Sequence, residues 1–90
     1  MVTLRLFAGL RELVGKREVE LPADNIPIKR LLSEFAEPYG EPARRFLFDQ
    51  QGELWESLLL LVNDETVDRK AEALVKSGDV VSILPPTAGG

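Results

Sequence analysis

The chain has 90 residues, 44% of them hydrophobic and 29% charged, with a formal net charge of -4 and a pI near 4.8. That balance suits one small folded domain and argues against nucleic acid as a partner, because nucleic acid is held by basic surfaces that neutralise phosphates. There is no cysteine and no histidine, which excludes disulfides, thiol nucleophiles, the usual general base and the commonest metal ligand, so no metal site is expected.

The opening Thr3 to Ala8 alternates Leu4, Leu6 and Ala8 against Thr3, Arg5 and Phe7, the period of a half-buried strand. A turn over Leu10 to Gly15 then leads to a second strand at Lys16 to Leu21, with Gly15 punctuating a hairpin. Asp24 or Asn25 offers a side-chain cap to a helix that takes Pro27 in its first turn and places Ile28, Leu31, Leu32, Phe35 and Tyr39 on one face. Pro38 stops that helix near Glu37.

Phe46-Leu47-Phe48 followed by Asp49-Gln50-Gln51-Gly52 reads as a strand entering a turn, and a short helix near Ala43 fits the same residues. Ser57 to Val62 carries four consecutive leucines and is expected to form a strand inside the sheet. Asn63-Asp64 turns the chain toward a short strand at Thr66-Val67. Asp68 to Lys76 is expected to lay Ala71 and Leu74 over the core, and Val80 to Leu84 is the last strand. One main helix over a four- to five-stranded sheet makes this an α+β domain spanning residues 1–84.

A single helix covers one face of a sheet, yet Leu58 to Leu61 is apolar on both sides, and Phe7 and Leu84 fall opposite their core-facing neighbours. Either a partner protein covers the second face or residues 40–56 fold over it.

The chain closes with Ile83-Leu84-Pro85-Pro86-Thr87-Ala88-Gly89-Gly90. Pro85-Pro86 cannot continue a ladder and favours extended backbone, so residues 85–90 are expected to leave the sheet as an extended, flexible tail. Thr87 to Gly90 then reaches about 13 Å at about 3.3 Å per residue. Glycine lacks a Cβ and passes through narrow channels, which lets such a tail thread into another protein's active site. An α-carboxylate, ionised at neutral pH, is a poor electrophile and needs activation there.

Three segments together carry a resemblance: Leu6 to Gly15 (LFAGLRELVG), Leu60 to Val67 (LLVNDETV) and Ser77 to Gly90 (SGDVVSILPPTAGG). The chain resembles the ubiquitin-like sulfur carriers of the MoaD and ThiS group, with Pro85-Pro86 favouring the MoaD side. The resemblance implies the β-grasp fold. It also implies that Gly90 is adenylated by a MoeB-like, ubiquitin-activating-type adenylyltransferase at the expense of ATP and converted to a thiocarboxylate. A MoaE-like large subunit would then receive the tail, so that sulfur passes to the molybdopterin precursor. By the same resemblance the chain is not an enzyme on its own and binds no cofactor tightly. Phe7, Leu84, Pro85, Pro86, Thr87, Ala88 and Gly89 would contact partners, and Arg11 matches the arginine of the R-E-L-V-G segment. The stretch from Glu41 to Glu56 is longer than in compact members and resembles archaeal and some bacterial variants, including protein modifiers.

Other candidates carry less. Ser33, Ser57, Ser77 and Ser82 have no histidine to activate them. Glu18, Glu20, Asp64 and Glu65 suit strand-edge and turn solvation better than acid/base chemistry, and Arg44-Arg45 suits helix-end charge better than an anion site. Three further functions stand beside this one: sulfur carriage for thiamine synthesis or tRNA thiolation, a modifier joined through Gly90 to lysines of target proteins, and a passive interaction module that does not need Gly89-Gly90. With no apolar run near the roughly eighteen residues of a membrane span and no signal peptide in Met1 to Arg5, no membrane contact and a cytoplasmic location are expected.

Overall fold

The computed structural model describes residues 1–67 and 73–84. Ala71, expected over the core, and residues 85–90, expected as an extended tail, lie outside them.

Period-two alternation forms the first strand, β1 (Val2–Leu6), with Val2, Leu4 and Leu6 buried. The chain does not turn into a hairpin after it. Phe7 remains extended, Ala8 takes a left-handed φ of 50°, and α1 (Ala8–Val14) follows, so the turn expected over Leu10 to Gly15 is a two-turn helix. Gly15 ends it at φ 82°, and its N–H donates to the Arg11 carbonyl at 2.8 Å, the left-handed glycine cap of a helix C-terminus. Strand β2 (Glu18–Leu21) then pairs antiparallel with β1.

A two-residue strand, β3 (Ile26–Pro27), leads into α2 (Ile28–Ala36), which buries Ile28, Leu31, Leu32, Phe35 and Ala36 at the helical spacing. Neither Asp24 nor Asn25 caps it: Pro27 is the N-cap, and Asp24 Oδ1 instead accepts the Ser77 N–H at 2.8 Å. A 3-10 turn (Glu37–Tyr39) and α3 (Glu41–Leu47) come next. Of the two readings of residues 43–48 the helix is the one formed. Pro42 sits in its first turn, and Glu41 and Arg44-Arg45 match the helix dipole at either end. Phe48 then bridges to Leu54 around the Asp49 turn.

Strands β4 (Leu59–Val62) and β5 (Glu65–Thr66) form a hairpin through Asn63 and Asp64, whose φ values of 51° and 69° supply the left-handed backbone of a two-residue primed turn. β6 (Leu74–Val75) pairs with β3, which buries Val75 and leaves Leu74 51% exposed. Leu74 was expected over the core; pairing with β3 sets the opposite parity. β7 (Val80–Leu84) completes the main sheet, ordered β2-β1-β7-β4-β5. β1 and β7 run parallel and the other neighbours antiparallel. One hydrophobic cluster joins the inward residues of β1, β4 and β7 to α1, α2 and α3. This mixed five-stranded sheet clasping a principal helix is the ubiquitin-like β-grasp fold.

Candidate functional site

Strand direction places three chain positions together. β1 ends at Leu6 beside Ile83, and β7, parallel to it, ends at Leu84; β4 runs the other way and begins at Leu59, the partner of Leu84. Phe7, Leu59 and Leu84 therefore stand at one end of the sheet, the end from which the last segment departs.

Register also defines the face turned away from the helices. Residues opposite one another in a ladder share a face, so Arg5, Ser82, Leu61 and Thr66 form one row, with Thr3 and Val80 below it and Leu59 and Leu84 above. Phe7, two residues beyond Arg5, stays on this side, with the Arg5 guanidinium 5.8 Å from its ring centroid. Leu59 is 42% exposed, while Phe7, Leu61, Val80 and Leu84 are half-buried. Ser82 in their midst is buried.

Of the two covers considered for this face, residues 40–56 do not provide one. Their helix, α3, packs against α1 and α2 and contributes Ala43 and Leu47 to the core. The second face is thus an apolar strip flanked by Arg5 and the β2 carboxylates Glu18 and Glu20.

On the helix side of the same end, the first turn of α1 meets α3. A Cβ on Gly9 would lie 2.9 Å from the Phe46 ring, so only glycine lets that ring rest there undisplaced. The ring of Phe46, with Trp55, Ser57 and Leu58, lines a mainly apolar cleft of about 230 Å³. Trp55 is 41% exposed but fixed in place: its Nε1–H donates to the Arg45 carbonyl at 2.8 Å and its backbone N–H to the Leu47 carbonyl at 3.1 Å. A larger groove of about 500 Å³ over α3 is lined by charges that already have partners. There Arg45 meets Glu41 at 3.6 Å, and Asp49 Oδ1 accepts the Gln51 and Glu53 N–H groups at 2.8 and 3.0 Å.

Two of the resemblance segments meet at the opposite end of the sheet. Asp79 Oδ2 accepts the Lys76 N–H at 2.8 Å and its Oδ1 the Asn63 side-chain amide at 2.9 Å. The Lys76 backbone bond first, then the Asn63 bond, hold the Asp79 carboxyl below its ordinary range, against a smaller opposing effect of burial.

The structure places the expected site residues unequally. It brings Phe7 and Leu84 to one end of the sheet. Arg11 is exposed on α1, one turn beyond Phe7, whose carbonyl accepts its N–H at 3.4 Å. Pro85, Pro86, Thr87, Ala88, Gly89 and Gly90 lie outside the described residues. Leu59, Phe46 and Trp55 were not singled out as site residues; Leu59 was legible as the outward member of a leucine run, whereas Phe46 and Trp55 reach this end only through α3. Among the described residues no cluster of acidic side chains is placed to hold a metal ion, and no helix is long and apolar enough to cross a membrane.

The ThiS family model matches residues 4–90. A molybdopterin synthase sulfur carrier subunit from Dictyostelium discoideum is 29% identical over 87 residues, covering 94% of this chain and 91% of the relative. Small archaeal modifier protein 3 from Haloferax volcanii is 35% identical over 91 residues, covering 97% of this chain and 96% of the relative. Among solved structures, SAMP1 from Haloferax volcanii superposes with a TM-score of 0.84 at 27% identity, covering 99% of this chain and 98% of that one. With a β-grasp domain whose final strand ends beside an apolar face that the helices leave open among the described residues, and a family match over residues 4–90, the chain belongs to the ThiS family of small ubiquitin-like sulfur carriers, which is not a catalytic family.

Proposed function

We propose that this sulfur carrier reacts through the carboxylate of Gly90 and serves molybdopterin synthesis in the cytoplasm, as the small, non-catalytic subunit of a molybdopterin synthase. The observation that carries the reading is the family match extending through the Gly89-Gly90 terminus, and the apolar edge at Phe7, Leu59 and Leu84 supports it as the place where a partner seats the tail.

The carboxylate has no electrophilic reactivity until it is activated. On a MoeB-like adenylyltransferase, a Gly90 carboxylate oxygen attacks the α-phosphorus of ATP. The α–β phosphoanhydride bond breaks, pyrophosphate leaves, and an acyl adenylate forms. Hydrosulfide then adds to the acyl carbon and the bond to AMP breaks, leaving AMP and a Gly90 thiocarboxylate. On a MoaE-like large subunit the thiocarboxylate sulfur attacks a carbon of the pterin precursor, whose bond to oxygen breaks as the C–S bond forms. Water then attacks the Gly90 acyl carbon of the resulting thioester, the acyl C–S bond breaks, the sulfur stays on the pterin and the Gly90 carboxylate is returned. Throughout, this chain contributes position: β7 ends at Leu84, six residues before Gly90, and the glycines lack the Cβ that would bar a narrow active-site channel.

Incubation with the adenylating enzyme, ATP and sulfide is expected to replace one Gly90 oxygen by sulfur, read by mass spectrometry of the C-terminal peptide. An unmodified terminus in the presence of an enzyme active on another carrier overturns the reading. A second reading has its own support in the identity to an archaeal modifier protein: the activated Gly90 is transferred to lysine amines of target proteins. Tryptic remnants on lysine side chains in cells distinguish it.

A further inference from the structure

We infer that the cleft formed by Phe46, Trp55, Ser57 and Leu58 is a second docking point, which takes an apolar side chain of the adenylating enzyme that acts on Gly90. The inference rests on the proposed function, because it needs an enzyme that receives the tail. Three observations carry it.

The first is reach. Residues 85–90 span at most about 20 Å when fully extended at about 3.3 Å per residue. An enzyme holding Gly90 in its active site must therefore bring its surface to the end of the sheet where Leu84 lies. The cleft is at that end: Leu58 directly precedes Leu59, the ladder partner of Leu84, and the Phe46 ring lies against Gly9 in the first turn of α1, just after β1.

The second is chemistry. The cleft, about 230 Å³, is a shallow depression open to solvent with a mainly apolar lining, able to take one leucine, methionine or phenylalanine side chain, and it includes the chain's single tryptophan. Tryptophan is enriched among the residues that carry most of the binding energy in protein interfaces.

The third is preorganisation. The Trp55 indole is held through Nε1 to the Arg45 carbonyl, and its backbone is tied at both ends, N–H to Leu47 and carbonyl to Leu58 N–H at 3.2 Å. Rigid placement reduces the ordering cost of binding. The cleft opens on the helix side while Leu59, Leu84 and Phe7 open on the other, so an enzyme engaging both grips the sheet end from two sides and sets the direction in which the tail leaves.

The test uses the full chain carrying 5-fluorotryptophan, the adenylating enzyme and ATP, with pyrophosphate release and the fluorine resonance as readouts. Enzyme is expected to shift the Trp55 resonance. Trp55→Ala, and Ser57→Phe, which fills the cleft while leaving Trp55 in place, are each expected to raise KM for the carrier about tenfold with kcat unchanged, and Trp55→Phe to restore most of it. Circular dichroism and melting curves establish that the variants are folded. If the wild-type chain releases no pyrophosphate, the proposed function fails. If it is adenylated but both variants keep the wild-type KM, the cleft proposal alone fails. A resonance that moves on removal of residues 85–90, or on raising carrier concentration, while remaining insensitive to the enzyme, assigns the cleft to the chain's own tail or to a second copy and overturns the proposal.

Discussion

Asn63 and Asp79 hold the two turns at one end of the sheet together. The Asn63 amide donates to Asp79 Oδ1 at 2.9 Å, while its own Oδ1 accepts the Val80 N–H at 3.0 Å. The same Asp79 closes the turn before β7 by accepting the Lys76 N–H. The strand that carries the tail thus begins in a fixed register on β4.

Removing Asp79 should loosen that register. Asp79→Ala deletes two hydrogen bonds to a charged acceptor, and a loss of about 1–3 kcal/mol is expected, measured by urea unfolding. The effect depends on pH with a definite sign. The folded-state value of Asp79 is lowered, so its contribution is present above the unfolded-state value of about 4 and is lost as pH falls through the folded value. The wild type should accordingly lose its advantage over Asp79→Ala below about pH 4, and an advantage that grows on acidification contradicts the assignment.

Gly9 and Phe46 should be energetically coupled. In a helix, alanine is favoured over glycine by up to about 1 kcal/mol, but a Cβ at position 9 meets the Phe46 ring at 2.9 Å. Gly9→Ala is expected to gain little in the wild type and to stabilise a Phe46→Ala background by up to about 1 kcal/mol. A double-mutant cycle in denaturant reads the difference directly; equal effects in both backgrounds would show that the contact has no energetic weight.

Leu60 and Leu59 are neighbours with opposite expectations. Leu60 is 1% exposed in the core, and Leu60→Ala should cost about 2–5 kcal/mol by leaving a cavity. Leu59 is 42% exposed on the uncovered face, and Leu59→Ser should change stability by no more than about 1 kcal/mol. Its effect is expected in function, as about a tenfold higher KM with the adenylating enzyme, worth about 1.4 kcal/mol. A normal KM for Leu59→Ser would remove this face from the interface.

Deleting Gly89-Gly90 should abolish adenylation and leave the urea midpoint unchanged, since the ladder pairing the described residues make ends at Leu84. Activity of the truncated chain in the cell would favour the passive interaction module.

Long periodic segments were readable because their pattern and their burial agree. Val2, Leu4 and Leu6 alternate into the core, and α2 repeats its apolar residues at helical spacing. The misreadings have local causes. α1 and α3 have seven residues each, too few for periodicity to separate a helix from a turn or strand, and their stability comes from packing rather than propensity. Phe46-Leu47-Phe48 has the composition of a strand, while Pro42 and Arg44-Arg45 ahead of it suit the first and last turns of a helix, which is why both readings stood open. Leu74 went to the exposed side because parity in a strand flips with one residue of register, and only pairing with β3 sets that register.

Composition, and the three segments Leu6 to Gly15, Leu60 to Val67 and Ser77 to Gly90 that carry the resemblance to the family, could be read from the sequence by itself, because residue identity and spacing are local to the chain. They excluded histidine and cysteine catalysis and pointed to a terminal carboxylate. Which side chains surround the place where the tail leaves was decided only in three dimensions. Phe7, Leu59 and Leu84 meet because β1 and β7 are parallel while β4 is antiparallel to them, and Phe46 with Trp55 joins them because α3 packs on α1. Residues far apart in sequence become neighbours there through strand direction and helix packing, and no local pattern in the chain encodes either.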